Sequence, residues 1–169
     1  MPSVVEAINS NNKELKEYNT QLIAVSKTKP KELIIEAYEG GQRAFGENKV
    51  QELVEKHEAL PKDIQWHMIG HLQRNKVKYI APFIHLIHGV DTEKLIIEIN
   101  KQAGKHERVI NILLQIHIAE EESKFGFSKE EVNELLASDQ FKNLSNIKVV
   151  GLMGMATNTN NEDQVKSEF

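Results

Sequence analysis

Lys27 is the residue with the clearest chemical potential. It follows an apolar run in the order Ala24, Val25, Ser26, Lys27. A lysine ending a buried strand points into a site walled by hydrophobic side chains. Desolvation there disfavours the ammonium, and the free amine that remains is what imine formation with an aldehyde needs. The position equally suits a first solvated loop residue in company with Lys29 and Lys31. Further on, FGENKVQE (45–52) joins a strand to a helix. Gly46 permits a tight turn, and Asn48 is placed either to cap the helix or to contact a ligand, with position favouring the cap.

WHMIGHLQRNK (66–76) sets the densest polar stretch on an apolar frame. His67 and His71 invite a metal reading. On a strand, residues four apart are separated by roughly 13 Å, too far for one ion. Gly70 and the run IQWHMI argue for the strand. EESKFG (121–126) reads as a charged loop leaving a strand, and VGLMGM (150–155) as a strand punctuated by glycine. Glycine in a strand admits close approach of a ligand or of another backbone, and methionine is a soft wall for a flat ring or a filler of core space.

The elements that must position these residues alternate. Val4 to Tyr18 predicts an opening helix. Strands are expected over 22–26, 43–46, 64–69, 84–90, 109–118 and 147–155, from short runs rich in Val, Ile and Leu. Between them, helical apolar spacing covers 32–38, 48–60, 76–79, 95–104 and 128–136, with Ser128 as an N-cap, and a last helix begins near Asn161. Strand–helix alternation of this kind implies a parallel sheet with helices packed outside. An open doubly wound sheet and a barrel both satisfy the pattern. No GxGxxG follows the first strand and no Walker lysine loop occurs. The polar residues Lys27, Glu47, Asn48, His71, Asp91 and Glu121 to Lys124 stand at the C-terminal ends of several strands. That distribution suits a TIM-type barrel, here with about six of its eight strands, forming a single partial barrel domain over residues 1–169.

The chain has 169 residues, 40% hydrophobic and 27% charged, which is the balance of a globular domain. A net charge of −4 gives nucleic-acid binding no support. No apolar stretch approaches the ~20 residues that span a bilayer, and the N-terminal segment predicts no secretory leader. The absence of cysteine removes disulfides, thiolate metal sites and cysteine nucleophiles, and makes the cytoplasm the expected compartment.

AVSKTKP (24–30), FGEN-x-VQE (45–52), WHMIGHLQRNK (66–76), GVD (89–91), EESKFG (121–126) and GLMGM (151–155) occur together in an order that resembles the pyridoxal-phosphate homeostasis protein family. The resemblance runs from Leu22 to Phe169, and its most specific segment is WH-x-IG-x-LQ-x-NK. It implies a fold like the N-terminal barrel of alanine racemase. It also implies pyridoxal 5′-phosphate as cofactor, held as a Schiff base on Lys27 with Asn48 beside it. His67 and Met153 match positions near the cofactor ring. Lys29, Glu121 and Lys124 match charged positions around the mouth that the family implicates in cofactor exchange.

By the same resemblance the protein stores the cofactor and delivers it to apo forms of PLP-dependent enzymes, without turnover of its own. Lys49 stands where the family often has an aromatic residue. The family also continues past the equivalent of Phe169 into an MGMS-type strand and a GST-x-VRIG-type strand. Those strands supply phosphate contacts and an arginine near the pyridine nitrogen. The chain is therefore expected to be a truncated form of a protein of ~220–230 residues, within the barrel range. The first and sixth strands would then be open edges. Ile23, Val25, Val150 and Leu152 would be partly wetted, and the isolated chain prone to aggregate. Two other functions compete with the carrier: a PLP-dependent racemase-like enzyme, and a barrel for another phosphorylated ligand. A racemase needs a second base on the opposite ring face, which in alanine racemase comes with a covering domain.

Overall fold

The computed structural model describes residues 3–119 and 125–169. Helix α1 (Val4–Leu15) opens on a reciprocal capping box between Ser3 and Glu6 and runs into a turn of 3₁₀ helix over Lys16–Tyr18. Strands and helices then alternate: β1 (Ala24–Val25), α2 (Lys31–Glu39), β2 (Ala44–Glu47), α3 (Val50–Ala59), β3 (Gln65–Met68), α4 (Val77–Ile80), β4 (Leu86–Val90), α5 (Glu93–Lys105) and β5 (Ile110–Ile116). After these come α6 (Lys129–Ala137), α7 (Asp139–Lys142), β6 (Ile147–Gly154) and α8 (Glu162–Glu168). Ser128 caps α6 as expected, with Glu131 completing the box. The short α7 has no counterpart in the sequence reading; four residues carry too little apolar period to show, and the Ser138 hydroxyl starts the turn by accepting from the Phe141 N–H.

The six strands form one sheet in the order β1-β2-β3-β4-β5-β6, and every neighbouring pair is parallel. A doubly wound sheet reverses its order at a switch point. This one never reverses, which is the winding of a barrel. Among the described residues β1 and β6 do not pair with each other.

Register separates two faces. Ser26 continues the β1 ladder by donating to the Gly46 carbonyl, and Glu47, Met68, Ile87 and Ile112 share its parity on the following strands. Met68, Ile87 and Ile112 are fully buried and belong to one apolar core with Leu95, Ile96 and Ile99 of α5. This is the helix side. The opposite parity brings Val25, Gly46, His67, Leu86 and Asn111 onto the other face. Val25 there is 52% exposed and Ile23 is half-buried; on β6, Leu152 (64% exposed) stands level with Leu114 of the helix side, and Val150 (46%) sits in the register shift between Val149 and Gly151.

Candidate functional site

Lys27 lies one position beyond the β1 ladder, on the parity of Val25, in a turn closed by the Lys29 N–H donating to the Ser26 carbonyl. Its side chain is exposed and its ammonium makes no ion pair among the described residues. The walled, desolvating pocket expected around it is thus not formed by these residues. Lys29 is exposed in the same turn.

Asn48 follows β2 on the parity of Gly46. It does not cap α3. Lys49 occupies that position, without a side-chain bond, because the helix begins at Val50, two residues later than the spacing over 48–60 suggests. The Asn48 side-chain oxygen is instead buried without a partner. Gly70 packs directly on it: a Cβ at position 70 would come within 2.5 Å of the Asn48 carbonyl oxygen. The glycine therefore holds the ends of β2 and β3 together.

His67 is 2% exposed, level with Gly46. Its Nδ1 shares a 2.9 Å hydrogen bond with Nε2 of His88 from β4, and its own Nε2 is buried without a partner. Burial, reinforced by the neighbouring His88 and His85, lowers the His67 pKa to about 3. The ring is neutral in ordinary buffer, one nitrogen donating and the other accepting. His88, which sequence reasoning missed, is also held below the ordinary imidazole range by burial. HLIHGV carries no motif; only the β3–β4 register shows that His88 meets His67. His71 goes elsewhere: its Nδ1 lies 3.4 Å from the buried Asp91 carboxylate, and its ring stacks on Phe125 at 5.1 Å.

Met153 pairs with Gln115 across the β5–β6 ladder and is half-buried. The glycines beside it make room for protein: a Cβ on Gly154 would stand 2.7 Å from Ile118, and one on Gly151 would stand 3.3 Å from Leu113. Glu121 and Lys124 lie outside the described residues. Glu47, grouped by sequence with the polar strand ends, faces the helix side instead and bonds to Lys56 of α3 at 2.7 Å.

The amine of Lys27 and the orphaned atoms of Asn48 and His67 share one face, near the C-terminal ends of three adjacent strands. The set fits a flat, polar aldehyde: an amine to react with it, and an amide and an imidazole to hydrogen-bond its ring substituents. Neither Arg43 nor Arg108 joins the set. Arg43 and Arg108 precede β2 and β5 at the opposite end of the sheet and are engaged, Arg43 with Asp63 and the Tyr38 carbonyl, Arg108 with the Ala81 and Ile84 carbonyls.

A sequentially wound parallel sheet with its polar groups at the C-terminal strand ends defines a barrel-type α/β protein. More narrowly, the family model described as alanine racemase, N-terminal domain, matches residues 4–169, and the chain belongs to that family. Its curated relatives include the pyridoxal phosphate homeostasis proteins of Aquifex aeolicus, 41% identical over 88% of this chain and 65% of that protein, and of Homo sapiens, 38% identical over 89% and 58%. The chain thus spans roughly two thirds or less of these relatives' length. Among solved structures, PipY of Synechococcus elongatus PCC7942 with PLP bound superposes with a TM-score of 0.85 at 32% identity, over 97% of this chain and 76% of that one. Alanine racemase from Bartonella henselae superposes at 0.72 with 15% identity, over 98% and 47%, which shows a shared fold alone. The resemblance drawn from the motifs is borne out.

Proposed function

We propose that this chain binds pyridoxal 5′-phosphate, with Lys27 as the covalent anchor through a Schiff base, and serves cofactor homeostasis as a carrier. Residues 1–169 act as one barrel-type unit in this reading. The observation that carries it is the pairing of an unengaged lysine amine with two buried polar atoms lacking partners, Asn48 Oδ1 and His67 Nε2, on one face of the sheet. The likeness to PipY with PLP bound supports the ligand. When bound, the cofactor supplies an aldehyde that condenses reversibly with an amine. The chain's own residues do the rest. Lys27 presents the amine, Asn48 offers a carbonyl oxygen as acceptor, and neutral His67 offers Nε2 with its tautomer set by His88. Met153 walls the same side of the sheet, and Lys29, Glu121 and Lys124 are assigned to cofactor entry and exit.

A carrier fits better than a racemase because no second base faces Lys27 among the described residues. His67, on the same face and two positions before the level of Lys27, is already committed to His88. Apo PLP-dependent enzymes are the natural recipients. No helix among the described residues is long and apolar enough to cross a membrane.

The test is an absorbance titration with pyridoxal phosphate, followed by borohydride reduction and peptide mass spectrometry. A visible band with the adduct on Lys27, absent in Lys27→Ala, is the expected result. An adduct spread over surface lysines overturns the assignment, and saturable racemisation lost in Lys27→Ala overturns the carrier role.

A further inference from the structure

Lys27 is flanked by two backbone groups held from the far side of the sheet. The Ser26 carbonyl accepts from Lys56 Nζ at 2.7 Å, and the Thr28 N–H donates to Glu52 Oε1 at 2.7 Å. Lys56 also donates to Glu47 Oε1 at 2.7 Å and Glu52 Oε1 at 2.6 Å, which uses all three ammonium hydrogens. Glu47 Oε1 accepts the Ser26 hydroxyl as well, at 2.6 Å. The Lys56 side chain is 5% exposed, that of Glu47 is fully buried, and Glu52 is 24% exposed.

We propose that this Lys56–Glu47–Glu52 cluster is a positioning device that fixes the backbone on both sides of Lys27 and so sets the place of its amine. The inference rests on the functional reading above. Three observations lead to it. First, a buried ion pair is a poor stabiliser, because desolvating both charges offsets their attraction and apolar replacements often do as well. Stability alone does not account for a lysine buried here. Second, two of the bonds end on backbone atoms bracketing one residue. Third, Thr28 holds φ at +61°, a left-handed conformation that a β-branched residue adopts only when its surroundings impose it. The bond from its N–H to Glu52 is the visible restraint. None of the cluster lies on the face that carries Asn48 and His67; it acts through the strand.

Glu52, on the surface of α3, allows a test that spares the core. In the cofactor-free chain, the Thr28 amide should exchange slowly with solvent in wild type and in Glu52→Gln, whose amide oxygen still accepts, and quickly in Glu52→Ala. With pyridoxal phosphate added, Glu52→Ala should form the Lys27 adduct roughly tenfold more slowly than wild type, since misplaced reacting groups lose rate steeply, and Glu52→Gln should recover most of it. Lys56→Met should show the same slowing. If it fails to fold, the Glu52 pair decides alone. A normal wild-type adduct matched in rate by Glu52→Ala overturns this inference. A wild-type chain that forms no adduct on Lys27 overturns the functional reading and this inference with it.

Discussion

The two faces of the sheet follow different rules. On the helix side, Phe45, Trp66, Met68, Ile87, Ile112 and Leu114 are at most 1% exposed, and the polar Glu47 meets a buried counter-charge. On the other face Val25 is half open to solvent, and His67 and Asn48 keep atoms without partners. A buried polar atom left unpaired costs about 1–3 kcal/mol. The helix side holds the apolar core, with Glu47 Oε2 and Trp66 Nε1 buried there without partners as well; what sets the other face apart is that its two unpartnered atoms share a face with the Lys27 amine near the C-terminal strand ends.

Four expected outcomes sharpen or break that division. The largest belongs to the helix side. Trp66→Ala should lose about 3–5 kcal/mol in denaturant unfolding, the usual cost of emptying a closed aromatic site. A loss near zero would mean that this side is not the structural one. Next is Gly70→Ala, which forces a methyl group against the Asn48 backbone. It should cost about 3 kcal/mol and weaken pyridoxal phosphate binding at the same time, read from a melt and an absorbance titration.

The third concerns pH. His67 titrates near 3 in the fold and near 6.5 when unfolded, so its contribution is complete above pH 6.5 and declines as pH falls from there toward 3. At about 1.4 kcal/mol per pH unit, roughly 2 kcal/mol should be gone by pH 5. Glu52, held below the ordinary carboxylate range chiefly by its bond from Lys56, adds its own loss only below its unfolded value of 4.5. His88, His85 and His57, also held below the ordinary imidazole range chiefly by burial, lose stability in the same window, so His67→Gln should reduce the dependence of the denaturant midpoints between pH 7 and 5 without abolishing it. A slope unchanged in that variant would assign the acid sensitivity elsewhere.

The smallest effect is expected at an exposed position: Leu152→Ser should change stability by no more than about 0.5 kcal/mol. The same variant should lower the chain's tendency to associate through β6, measured by light scattering.

Much of the molecule was legible in the sequence. Every strand appears where the sequence reading placed it, although β1 is only two residues long. Ser128 caps α6, and the glycine-bounded FGEN segment does join a strand to a helix. Of the two roles open to Asn48, the cap that position favoured is not made, since a helix start is defined only to within a residue or two by spacing. The glycines of GLMGM face Leu113 of β5 and Ile118 just beyond it, a reason no single strand discloses.

Local order alone thus determined which segments are strands and helices, and that Lys27 ends the first strand. Those depend on periods of two and 3.6 residues and on short-range capping. Whether the sheet reverses, which parity faces the helices, and which side chains meet were decided only in three dimensions. Glu47 and Asn48 are adjacent in sequence and both polar, yet one is clamped against Lys56 under α3 and the other lies beside Gly70 on the opposite face. His67 and His88, twenty-one residues apart, share a hydrogen bond because parallel pairing of β3 with β4 sets His67 level with Leu86 and leaves His88 two positions further along the same face. Long-range register has no local signature, because it is set by the packing of every strand against its neighbours at once.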